Sequence, residues 1–152
     1  AMFASRPDMV AAELKRVTKP GGIIAMGNWT PAGFIGLMFK TVGAHVPPPA
    51  NMPSPLLWGV DEKVRERFGD GVSKVETTTR MVPFAFPFSP AEVVELFRLY
   101  YGPAHKAFGA LDEEKQAALR KDLEDLWTKH NQATDGTTSV ECEYLEVVAT
   151  RA

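Results

Sequence analysis

Cysteine is almost missing from this chain: Cys142 is the only one among 152 residues. That excludes a disulfide framework and a thiolate metal cluster. Histidine is scarce as well. His45 and His130 have no partner at ligand spacing, so no metal site is expected. No apolar run approaches membrane-spanning length, and no secretory leader opens the chain. The cytoplasm is therefore the expected compartment, with no membrane partner. Basic residues form no block beyond Lys15-Arg16, and the net charge is −2, so a nucleic-acid surface is not expected. Internal repeats and low-complexity tracts are also missing. Ala1 before Met2 reads as a cloning remnant, with Met2 as the expected native start.

What is present is ordinary for a folded protein. The chain is 45% hydrophobic and 24% charged, and its length suits a single domain over residues 1–152. The organising stretch is Ala11 to Trp29. Val10, Leu14 and Val17 share one helical face, and Lys19-Pro20-Gly21-Gly22 then ends the helix, because proline cannot continue it and glycine supplies the left-handed turn. Ile23-Ile24-Ala25-Met26 follows as a short apolar run that suggests a strand covered on both faces, as in a parallel sheet. Ser5 or Arg6 is placed to cap the first helix, with Pro7 at its first position.

The remaining elements follow from periodicity and punctuation. Thr30-Pro31 opens a second helix carrying Phe34, Leu37, Met38, Thr41 and Val42 on one stripe. Five prolines between Val46 and Pro55 forbid helix or central strand there and indicate a stiff surface loop. Val60, Val64 and Phe68 mark a short helix. Val72 to Phe88 reads as a strand with Val75, Thr77, Thr79 and Met81 on one face. Ser89-Pro90-Ala91-Glu92 is a capping box, and Val93, Val94, Phe97, Tyr100 and Tyr101 form the inner face of the helix it starts. Asp112 caps a further helix with Leu119, Leu123, Leu126 and Trp127 as its stripe. The last strand spans Ser139 to Arg151. Its alternation shifts phase at Tyr144-Leu145, as a strand half exposed at first and buried on both faces later would show.

Several of these segments carry a resemblance. Glu13-Leu14-Lys15-Arg16-Val17-Thr18-Lys19-Pro20-Gly21-Gly22, followed by a hydrophobic strand, resembles the segment of class I S-adenosylmethionine-dependent methyltransferases that joins a helix to the fifth strand. Met2-Phe3-Ala4, Arg6-Pro7, Asn28-Trp29-Thr30, Leu57-Trp58-Gly59, Tyr100-Tyr101-Gly102-Pro103 and Glu143 to Thr150 continue the likeness in order. The resemblance implies an α/β, partial Rossmann-like fold: the C-terminal half of the family's domain, a mixed sheet of about three strands with flanking helices. It also implies that the last strand inserts antiparallel between the other two, leaving the strand at Ile23–Met26 with a bare edge. Two copies paired across that edge as a homodimer, a domain swap, or a missing N-terminal half are the expected partners.

The resemblance further implies S-adenosylmethionine as cofactor and methyl transfer to a small molecule. Yet no Gly-x-Gly-x-Gly loop or ribose-binding acidic residue stands where the family needs them. Gly69-Asp70-Gly71 follows a helix rather than preceding one. A non-catalytic remnant, dimerising or binding a ligand, is therefore the alternative. Candidate substrate contacts are Asn28, Trp29, Thr30 and Phe34 at the carboxyl end of the first strand, and Trp58, Tyr100 and Tyr101 as an aromatic wall. For each aromatic the plain alternative is core packing, and for Thr30 it is a helix cap. Tyr101 and His105 lie four apart and could assist a deprotonation, if Gly102-Pro103 leaves them on one face.

Overall fold

The computed structural model describes residues 1–152 and contains six α-helices and a three-stranded sheet. In chain order they are α1 (Pro7–Val17), β1 (Ile23–Trp29), α2 (Phe34–His45), α3 (Asp61–Phe68), β2 (Val72–Phe86), α4 (Pro90–Tyr100), α5 (Gly102–Gly109), α6 (Glu113–His130) and β3 (Thr138–Arg151). The strand order is β1-β3-β2, so the last strand lies in the middle and β1 has one open edge, as expected. The first and last strands pair antiparallel, from Ile23 opposite Thr150 to Trp29 opposite Tyr144. The sheet is antiparallel rather than mixed.

That pairing corrects the reading of β1 as a strand covered on both faces. Ile24 and Asn28 are buried, whereas Ile23 is 59% exposed and Ala25 is exposed. An apolar run does not reveal by itself whether a strand is central or at an edge, and here β1 is at the edge.

The chain forms two compact units. The first comprises residues 1–36, 50–81 and 143–152. Its core joins Ile24 on β1, Leu145, Val147 and Ala149 on β3, Ala11 on α1, Val64 and Phe68 on α3, and Trp58. Met2, read only as a start residue, is buried in the same core. The α1 N-terminus has Pro7 at its first position, but neither Ser5 nor Arg6 supplies a side-chain cap. At the far end Gly21 takes the positive φ that the turn requires, and its N–H reaches the Arg151 carbonyl. Lys15 Nζ crosses to the Phe68 carbonyl at 2.8 Å and closes the C-terminus of α3.

The second unit comprises residues 37–49 and 82–142. Phe86, Phe97 and Trp127 meet edge to face, with centroids 5.2 to 6.2 Å apart. The Ser89–Glu92 capping box starts α4, and Asp112 accepts from the Lys115 N–H to start α6. Both caps are those expected from the sequence. Tyr100, by contrast, is not on the inner face of α4 but 78% exposed. The helix ends at Tyr100, and Gly102-Pro103 begins α5 as a new helix, so the apolar stripe stops one turn earlier than its spacing suggests.

Both long strands change their buried parity. On β3 the buried residues are Thr138, Val140 and Cys142, then Leu145, Val147 and Ala149. The phase shift at Tyr144-Leu145 is real, but its cause differs from expectation: each stretch buries one face, and the two stretches belong to different units. On β2 the half-buried set changes from Val75 and Thr77 to Val82, Phe84 and Phe86. Thr79 and Met81 therefore do not continue the face of Val75, and Met81 is 54% exposed.

Candidate functional site

The carboxyl end of β1 gathers the largest number of expected site residues. Asn28 and Thr30 point to the core side of the strand, where they are 2% and 6% exposed. The pairing register sets Asn28 opposite Leu145, and the Thr30 N–H continues it onto the Glu143 carbonyl. Glu143 thus comes to lie beside Thr30. The Thr30 hydroxyl donates to Glu143 Oε1 and accepts the Gly33 N–H at 3.1 Å. Thr30 therefore organises the turn that leads into α2, which begins only at Phe34. Phe34 is buried, at 3% exposure.

The other face of β1 has a different character. The Tyr144 ring lies over Gly27, where an added Cβ would meet Tyr144 Cδ2 at 3.4 Å. Trp29 and Tyr144 make an edge contact with centroids 6.4 Å apart. Both rings are half-buried, and together they form a small aromatic shelf. Arg80 and Glu146 close an ion pair at 2.8 Å in the same unit.

Trp58 is a core residue at 1% exposure, edge-on to Phe68. The Arg67 guanidinium lies 4.5 Å from the centre of the Trp58 ring, a cation–π contact. Gly59 is required here: a Cβ would fall 2.0 Å from the Trp29 carbonyl oxygen. Three buried donors in this unit have no hydrogen-bond partner, namely Asn28 Nδ2, Trp58 Nε1 and Arg67 Nη1. A buried donor left unpaired costs about 1–3 kcal/mol, so these three are a local cost to the unit. Burial also lowers the Arg67 pKa from its ordinary value.

The remaining expected site residues lie in the second unit. Tyr101 packs on Phe97 at 5.0 Å, and its buried hydroxyl has no partner. That burial pushes the phenol up to about 12. His105 places Nδ1 3.0 Å from the Arg98 carbonyl rather than on the Tyr101 hydroxyl. The two side chains share a helical turn, since the His105 N–H bonds the Tyr101 carbonyl, but form no acid–base pair. No group of three or more His, Cys, Asp or Glu side chains is placed to hold a metal.

Only one strand-to-helix turn carries a glycine, the Thr30–Gly33 turn, so it is the place to test for a nucleotide-type cofactor. The fit is poor. Its glycine N–H is already taken by Thr30, and a Cβ on Gly33 would meet Glu143 Cβ at 2.8 Å. The Glu143 carboxylate also stands against this turn, and an acidic side chain there disfavours an anionic group. Gly69–Gly71 forms a tight turn between α3 and β2, not a cradle before a helix. These residues do not hold that cofactor.

No known family model matches the chain. Two proteins of Mycobacterium tuberculosis are similar along most of it. Uncharacterized protein Rv1403c is 32% identical over 145 residues, covering 95% of this chain and 52% of its own length. Uncharacterized protein Rv1405c is 32% identical over 150 residues, covering 97% of this chain and 54% of its own length. A Mycobacterium bovis protein, Uncharacterized protein Mb1438c, matches as Rv1403c does. The chain spans about half the length of these relatives.

Glu143 and Arg67 were not singled out by sequence reasoning. Glu143 reads as the polar half of an alternating strand, and only the register with β1 brings it to Thr30. Arg67 lies on a helix rich in charged residues, and nothing in that pattern separates it from Arg65.

Proposed function

We propose that this chain is the acceptor-side portion of a class I S-adenosylmethionine-dependent methyltransferase fold, binding a small-molecule substrate at the carboxyl end of β1. The observation that carries the reading is the strand order β1-β3-β2, with the last strand in the middle and antiparallel to β1. The resemblance implies that arrangement, in which β1 and β2 are not neighbours although consecutive strands more often are.

The local chemistry supports the acceptor side. Trp29 and Tyr144 present an aromatic surface suited to a planar or apolar molecule. Asn28 holds a donor in reserve, and the Thr30–Glu143 bond fixes the adjoining turn. The methyl donor is assigned to polypeptide other than these residues, consistent with relatives about twice as long. One observation favours a second reading, a non-catalytic ligand-binding module: Glu143 fills the glycine turn that a donor site would use.

Calorimetric titration with S-adenosylhomocysteine separates these readings. The expected result is no saturation with this chain up to millimolar ligand, and micromolar saturation with full-length Rv1405c. Saturation of the chain alone would overturn the acceptor-side assignment. Absence of binding by the folded full-length relative would remove methyl transfer and leave the ligand-binding module.

A further inference from the structure

Within the second unit, α2 and α6 leave a shallow groove of about 430 Å3 between them. Lys40, Thr41 and Ala44 line it from α2, and Asp122, Asp125, Leu126 and Lys129 from α6. The four α6 residues stand three, four and seven apart, so they share one face of that helix. Leu126 belongs by spacing to the apolar stripe of α6, yet only Leu119, Leu123 and Trp127 of that stripe are buried. Leu126 is half-buried and Ala44 is exposed. With Thr41 they make a short apolar floor between charged rims.

The charges around that floor are not all available to a ligand. His45 Nε2 meets the Asp122 carboxylate at 2.7 Å, and Lys121 Nζ meets that of Asp125 at 2.5 Å. Both carboxylates are therefore taken by groups that do not line the groove. Lys40 and Lys129 form no ion pair, although both stand at this groove. One ammonium thus rises from each wall, uncommitted, beside an apolar floor. A cation would be repelled there, and a neutral molecule would leave both ammonium groups unused. An anion is attracted by both.

We infer that this groove binds a small aliphatic carboxylate, with its chain over Ala44 and Leu126 and its head group held by Lys40 and Lys129. Charge complementarity sets the sign of the head group, and the floor sets the apolar body. The volume lies within the range of small-molecule sites, about 300–1,000 Å3. A docked helix is a poorer occupant. It needs a row of pockets for anchors spread over two turns, and Thr41, Ala44 and Leu126 give it one short patch. The groove is shallow and the lysines are exposed, so the binding is weak and sensitive to salt. None of this depends on whether the fold transfers methyl groups.

Titration of this chain with sodium octanoate below its micelle-forming range, followed by amide NMR, tests the inference. The expected result is saturable shifts at Thr41, Ala44 and Leu126. Affinity should fall about fivefold or more in the double variant Lys40→Gln, Lys129→Gln, which keeps the side-chain stems and removes both charges. Octylammonium should leave the three residues unmoved. No saturable shift at these residues would overturn the inference, and so would shifts confined to Val10 and Leu14 of the apolar groove on α1. Equal affinity in the double variant, with its fold verified by an unchanged urea midpoint, would also overturn it. So would equal binding of octylammonium, because the lysines would then play no part.

Discussion

In the unit that holds α4 to α6, helix starts are closed by Ser89, Glu92 and Asp112, and Glu95 is held by both Arg98 and Arg120. Its aromatic core is interlocked edge to face. In the unit built on β1, the first helix has no side-chain cap, Met9 and Val17 on it are exposed, and the sheet edge is open. Three of the four buried polar atoms without a partner also lie there. The same chain therefore contains one region whose local requirements are met internally except at the Tyr101 hydroxyl, and another with three such donors and an open edge. In the latter, unpaired donors and an open edge gain from a ligand or a neighbour.

The comparison can be broken most forcefully in the self-sufficient region. Trp127→Ala removes the ring shared by Phe86 and Phe97 and is expected to cost about 3–5 kcal/mol, read by urea unfolding. A loss below about 1 kcal/mol would show that this core is not what stabilises the unit. Asn28→Leu probes the other region with opposite sign. It deletes an unpartnered buried donor, so stability is expected to rise by about 1 kcal/mol. A clear loss of stability would mean that the carboxamide already has an acceptor in solution.

The smallest effect concerns charge. Arg98 and Arg120 hold the Glu95 carboxyl at about 2, below its ordinary 4.5. A depressed carboxylate stabilises the fold above its unfolded pKa and loses that contribution as pH falls from about 4.5 toward 2. The side chain is 35% exposed, so solvent screening limits the contribution to below about 1 kcal/mol. Glu95→Gln should therefore flatten the acid limb of the stability curve and leave stability at pH 2 unchanged. An unaltered acid limb would remove the Glu95 network from the comparison.

Much of the fold was legible from local chemistry. Proline, glycine and capping residues act within a few positions, so the helix starts at Pro7, Ser89 and Asp112 and the stop at Pro20-Gly21 could be read directly. The parity change in β3 was visible as well, because alternation is a property of the strand itself. Its meaning was not, since a change of phase looks alike whether a strand gains a second buried face or passes from one unit to another. The candidate site was legible in one part only. Asn28 and Thr30 could be placed at the end of β1, but Tyr100 turned outward and His105 turned to a backbone carbonyl.

By itself the sequence determined the elements, their order and the chemistry at their ends, since those depend on residues close along the chain. Only the tertiary structure decided that Glu143 comes to rest against Thr30 and that each half of β3 buries a single face; the place of β3 between β1 and β2 was expected from the resemblance, not from the residues of the strands themselves. These facts depend on pairing register between segments more than a hundred residues apart. A shift of one residue would turn each side chain to the other face without changing any local signal.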